Sequence, residues 1–141
     1  DGMRQASEDA VLNANYVRAK LSDVMTQPFG NQVCMHEVLF DDSFLKDTGV
    51  STLDFAKAII DEGYHPMTMY FPLVVHGALL IEPTETESKE TLDAFSDALH
   101  AIATEDPDML HQAPYTTPVS RPDEVAAGRK PQLTWTPCLN D

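Results

Sequence analysis

Two clusters hold most of the residues in this sequence that could do chemistry. The first is Tyr64-His65-Pro66-Met67-Thr68-Met69-Tyr70-Phe71-Pro72 and the second Glu82-Pro83-Thr84-Glu85-Thr86-Glu87-Ser88-Lys89-Glu90. The first sets an imidazole and a hydroxyl, His65 and Thr68, at a junction between a helix and a strand. Such junctions are where groups that line a cleft are commonly carried. The competing reading is a rigid turn that His65 and Pro66 merely shape. The second cluster has four carboxylates within nine residues. It lacks the central glycine and alternating oxygen ligands of a calcium loop, so Glu85 and Thr86 read as groups that start a helix. The five histidines, His36, His65, His76, His100 and His111, show no ligand spacing, and the pair Cys34 and His36 has no partner pair. No metal site is expected. No nucleophile elbow, zinc-protease or phosphate-loop motif is present.

The elements that must carry these clusters follow from apolar spacing. Ala10, Ala14, Val17, Leu21 and Val24 recur at helical intervals, behind a start at Ser7-Glu8-Asp9 and ahead of a stop at Pro28 and Gly30. Val33 to Phe40 has apolar residues in both alternating sets, as in a strand covered on both faces. The stretch 41–49 reads as a loop. Ser51 and Asp54 have capping-box spacing before a helix buried through Leu53, Ala56, Ile59 and Ile60, and Gly63 is its stop. Short strands are expected at Met67–Phe71 and Ala78–Ile81. Thr84 and Glu87 offer a second capping box for a helix carrying Leu92, Phe95, Leu99 and Ile102, ended by Asp106-Pro107. The fold class expected is α+β: a small, largely antiparallel sheet with packed helices, over residues 1–108. Residues 109–141 hold five prolines and little periodicity. They read as an extended tail that wraps a larger body, with Trp135 docked on protein.

Composition narrows the function. Nine basic against 23 acidic residues give a net charge of −14, which argues against nucleic acid and against anionic membranes. The acidity reads as a solvated surface. No apolar run is long enough for a bilayer. The opening Asp1-Gly2-Met3-Arg4-Gln5 reads as a chain entered partway through a longer one. Cys34 and Cys138 read as reduced thiols of a cytoplasmic protein.

A resemblance runs nearly end to end. It is carried by Ser7 to Tyr16, Cys34-Met35-His36-Glu37, Gly49 to Asp54, Gly63 to Leu73, Ile81 to Asp93, and the tail from Arg121 to Pro131. These stretches resemble the C-terminal region of the P-protein family of the glycine cleavage system, and the tail resembles subunit 2 of the two-subunit prokaryotic form. The resemblance implies the small C-terminal domain of a fold type I pyridoxal-phosphate enzyme. Such an enzyme decarboxylates glycine and passes the aminomethyl group to the lipoyl arm of the H-protein. It implies that the cofactor lysine lies upstream in a large domain. Lys20, Lys46, Lys57, Lys89 and Lys130 do not sit in the family's His-Lys motif, so this chain alone is expected to hold no cofactor and to be inactive. The implied partners are the large domain, subunit 1, the H-protein and glycine. His65 and Thr68 are then expected at the cleft between domains, with Asn13, Asn15 and Tyr16 as further candidates. Two departures from the expected pattern stand out: His76-Gly77 where Pro-Glu-like residues are expected, and Val38 where an aromatic is expected. Two other classes remain open on residues alone. One is a ferredoxin-like small-molecule regulatory module, and the other an acidic protein-interaction domain.

Overall fold

A computed structural model describes residues 1–135. The order of elements is α1 (Gly2–Lys20), β1 (Val38–Phe40), a 3-10 turn (Asp42–Leu45), α2 (Thr52–Asp61), β2 (Thr68–Met69), β3 (Leu79–Ile81), α3 (Lys89–Ala103), α4 (Pro107–Gln112) and α5 (Glu124–Arg129). The chain is α+β. Its three strands form one antiparallel sheet in the order β1-β3-β2, with Val38 opposite Ile81, Leu39 opposite Leu80 and Thr68 opposite Leu80.

Strand alternation sorts these side chains. Val38, Phe40, Leu79 and Ile81 are buried and face the helices, where they meet Val17, Leu21, Phe55, Ile59, Leu99 and Ile102 in one core. Leu39, Leu80 and Thr68 form a row on the opposite, outward face, which no helix of the described residues covers. Each core leucine or isoleucine contributes about 1.5–3 kcal/mol through removal from water.

Several sequence signals act as expected. Ser51 caps α2 by a full capping box, the Asp54 carboxylate accepting from the Ser51 N–H at 2.9 Å. At the other end Gly63 takes φ +83°, and the Gly63 and Tyr64 N–H groups donate to Ile60 and Ile59. That closes α2 with the double turn that a left-handed residue permits.

Others act differently. Helix α1 starts at Gly2, ahead of Ser7-Glu8-Asp9. The strand expected over 33–40 is only Val38–Phe40, and Val33 and Met35 are exposed, because the sheet is covered on one face only. The strand expected at Met67–Phe71 shortens to Thr68–Met69, because Tyr70 turns to φ +56°. Ser88, not Thr84, caps α3 by accepting from the Thr91 N–H. Glu85 and Thr86 therefore lie in the turn before that helix. Helix α3 ends at Ala103, short of Asp106-Pro107, which instead begins α4, with Asp106 as cap and proline in the first turn, where its missing N–H costs nothing. Helix α4 runs across the position where the tail was expected to begin, and its Leu110 joins the core.

The segment after α4 is fastened to α2 by two carboxylates seven residues apart. Asp61 accepts from the Tyr115 and Thr116 N–H groups and the Thr116 hydroxyl, all at 2.8 Å. Asp54, itself buried, accepts from Arg121 Nη1 at 2.6 Å, and His111 Nδ1 lies 3.5 Å away. Arg121 also donates to the Ala113 and Leu110 carbonyls. For Asp54 burial pushes the carboxyl pKa up, but hydrogen bonds from Ser51 and Arg121 outweigh it and hold the pKa below the ordinary carboxylate value. For Asp61 burial is likewise outweighed by Thr116 and Tyr115. A depressed folded-state pKa gives stability that is complete above the unfolded value near 4 and is lost as pH falls through the folded values. Thermal unfolding should thus shift down below about pH 4, and the shift should shrink when Asp54 and Asp61 are both asparagine.

Ser96 is buried on α3, and its hydroxyl has no hydrogen-bond partner among the described residues. A buried hydroxyl without a partner costs about 1–3 kcal/mol. Ser96→Ala is expected to raise stability by about 1 kcal/mol in urea unfolding, with the improved helix propensity adding a few tenths.

Candidate functional site

The α2 stop sets the position of the first chemical cluster. Gly63 reverses the chain, and Tyr64 then packs edge-on against Phe95 of α3, with ring centroids 5.2 Å apart. His65 and Pro66 follow, and Thr68 opens β2 on the outward face. The cleft they line measures about 370 Å³, and its walls include Met67, Thr84, Glu87 and Thr91. The structure thus brings His65 and Thr68 together in one cleft, and brings the second chemical cluster to the opposite wall. Glu82, Thr84 and Glu87 face them across it. His65 and Thr68 are both exposed and make no hydrogen bond to side chains of the described residues. They are free to contact something that enters.

Asn13, Asn15 and Tyr16 are placed otherwise. Asn13 donates to the Thr84 and Glu87 carbonyls at 2.8 and 3.3 Å, holding the cleft wall from behind. Asn15 donates to the Cys34 carbonyl at 2.7 Å and accepts from its N–H at 3.0 Å. The Tyr16 hydroxyl donates to Asp93 on α3 at 2.5 Å, and the Lys89 ammonium sits over the Tyr16 ring. Lys89, Tyr16 and Lys20 together hold the Asp93 carboxyl far below the usual carboxylate range. All three α1 residues are therefore tied to hydrogen bonds within this chain, and none lines the cleft.

Sequence reasoning did not single out Tyr70. It sits in the left-handed region at φ +56°, a conformation that costs a non-glycine residue about 1 kcal/mol or more. Its N–H donates to the Ala78 carbonyl at 2.7 Å, and its hydroxyl accepts from the Leu53 N–H at 3.2 Å. This strained residue terminates β2 two residues beyond Thr68. Sequence gave no signal for it, since tyrosine is not a left-handed residue by preference. Glu82 was visible only as part of an acidic run; it also lies 3.5 Å from His36 Nε2 across the end of the sheet.

Beyond Leu80 the outward sheet face continues into a second cleft of about 420 Å³, lined by Phe29, Val33, Leu39, Phe71 and Leu80 with Arg18 at its edge. Leu73 and Val74, in the turn after β2, are 89% and 87% exposed. The His65–Thr68 cleft therefore borders a continuous apolar face. Cys34 also borders it and is a free thiol, its pKa pushed up by burial; Cys138 lies outside the described residues.

The residues present do not fit attachment of pyridoxal phosphate in this chain. None of the five lysines lines the His65–Thr68 cleft, and Lys20 and Lys89 are paired with Asp93. Among the described residues no group of three metal-ligating side chains comes together, and no helix is long and apolar enough to cross a membrane.

Comparison with known proteins places this geometry in context. Residues 6–117 match the family model described as glycine dehydrogenase, C-terminal domain. A protein of Caulobacter vibrioides named probable glycine dehydrogenase (decarboxylating) subunit 2 is 62% identical over 97% of this chain and 27% of its own length. Proteins of the same name from Desulforamulus reducens and Thermotoga maritima are 53% and 50% identical, each over 96% of this chain and 29% of their own length. The chain thus spans under a third of the length of the curated relatives it matches.

Proposed function

The chain belongs to the glycine dehydrogenase C-terminal domain family, and from that premise we propose that it is the C-terminal domain of a subunit 2 whose full-length form decarboxylates glycine. In this reading the full-length enzyme carries pyridoxal phosphate, works with a subunit 1 in the cytoplasm, and hands the aminomethyl group to a lipoyl-bearing carrier protein. The cofactor supplies an electron sink for the carbanion left by loss of the carboxylate. In this reading the upstream part of the polypeptide holds it.

The observation that carries the proposal is the position of the His65–Thr68 cleft at the border of an uncovered apolar sheet face. A contiguous exposed apolar surface marks an interaction site. Here its occupant is the rest of the same polypeptide, since the matched part is only 27% and 29% of two relatives' length. Packed there, the upstream part closes the cleft, excludes water from it, and brings His65 and Thr68 up to the reacting molecules. The His65 imidazole can donate or accept a hydrogen bond, and Thr68 can fix the orientation of a polar group. The freestanding regulatory module lacks such support, since it would need no partner for this face.

Exchange of labelled bicarbonate into the carboxyl group of glycine tests the proposal. The assay uses full-length subunit 2 with subunit 1, pyridoxal phosphate and the lipoylated carrier. Exchange above that of an assembly lacking subunit 2 is expected. A folded, cofactor-loaded assembly without exchange would overturn the assignment.

A further inference from the structure

The segment 118–135 is exposed throughout, yet its root is fixed by several hydrogen bonds to α2. Helix α5 buries nothing, and Val125, Leu133 and Trp135 are 65%, 88% and 85% exposed. Six residues of helix without packing are not stable in water, and three large apolar side chains on one short arm are surface that a protein normally covers. Asp61 and Asp54 set where the arm leaves the domain, at α2.

We propose that residues 122–135 are a docking arm, and that it binds the upstream part of its own polypeptide. The choice of occupant follows from effective concentration. The matched part is 27–29% of each relative, so a body more than twice the size of this domain is joined to it covalently. A tethered surface is present at about millimolar effective concentration, well above a separate subunit at cellular levels. The arm's apolar side chains therefore meet their own chain first. Arg121 acts as the hinge pin: held by Asp54 and two carbonyls, it fixes the direction in which the arm reaches. This inference rests on the reading that the chain is one domain of a longer subunit, but not on the reaction assigned to it.

Trypsin offers a direct test, because the arm contains one readily cut bond. Arg129–Lys130 is cleavable, whereas Arg121 and Lys130 are each followed by proline. In the full-length subunit without its partner, Arg129–Lys130 is expected to be cut at least tenfold more slowly than in the same protein carrying Leu133→Ala and Trp135→Ala. Mass spectrometry of the C-terminal fragment reads this out. Equally fast cutting in both proteins would overturn the proposal, and so would protection that appears only when subunit 1 is added. Bicarbonate–glycine exchange by the same proteins, after subunit 1, pyridoxal phosphate and the lipoylated carrier are added, separates the two readings. Exchange with a freely cut arm leaves the enzyme assignment standing and removes the docking arm alone.

Discussion

Replacing His65 with alanine in the full-length assembly should lower bicarbonate–glycine exchange by about 100-fold, within the range that a positioned proton-transferring or hydrogen-bonding side chain contributes. Thr68→Ala should lower it by about tenfold, the effect of losing one hydrogen bond worth roughly 1.4 kcal/mol. Both side chains are exposed and neither belongs to the core, so the thermal midpoint of each variant should stay within a degree or two of wild type. That separation matters. A turn whose only role is to connect α2 with β2 would tolerate both changes without loss of rate. The wall of the cleft provides the internal control. Asn13→Ala removes hydrogen bonds to the Thr84 and Glu87 carbonyls and should lower both stability and rate, because it loosens the wall instead of removing a contact with the substrate.

Gly77→Ala should destabilise the protein by at least about 3 kcal/mol, the largest single effect on folding expected outside the core. Gly77 has φ +57°, where an L side chain is strained. A Cβ there would collide with the carboxyl group and Cβ of Asp42. The close approach is not incidental. The Gly77 carbonyl accepts from the buried Thr52 hydroxyl at 2.9 Å, and His76 Nδ1 lies 2.9 Å from the Asp42 carboxylate. The turn after β2 is thus pressed onto the 3-10 turn and the start of α2. His76-Gly77, a departure from the residues expected in relatives, has here a physical basis: the glycine lets Asp42 approach, and the histidine binds it. Substituting Asp42 with glycine removes the obstructing atoms and should recover part of the loss in the double variant, leaving the cost of the positive φ. Urea unfolding of the four proteins of that cycle gives the coupling.

How much of this was legible in the sequence depended on whether a signal was local. The capping box of Ser51 and Asp54 and the stop at Gly63 are local, and they place His65 within a turn of where it stands. The stripe Leu92, Phe95, Leu99 and Ile102 is also local and gave α3. Misreadings arose where a pattern depended on tertiary context. Val33 and Met35 look like residues of a strand buried on both faces, yet they are exposed at 83% and 70%, because none of the described residues covers the outward face. Trp135 is a different case: it is 85% exposed, and its expected docking on protein is the contact proposed for the arm. Thr84 and Glu87 have capping spacing, but Ser88 and Thr91 supply the cap in the structure; two overlapping signals of equal quality cannot be ranked by spacing alone. The pairing of Asp54 with Arg121 joins residues 67 positions apart, and no periodicity announces it. The meeting of the two chemical clusters across one cleft is also a tertiary fact, because it needs β2 and β3 side by side.

Hydrogen–deuterium exchange on the full-length assembly, with and without glycine and the lipoylated carrier, tests most directly whether this cleft belongs to the reacting site. Peptides covering 64–71 and 82–88 are expected to exchange more slowly once both are added, with α1 peptides unchanged. Unaltered exchange in those two segments, in an assembly that is turning over glycine, would contradict it.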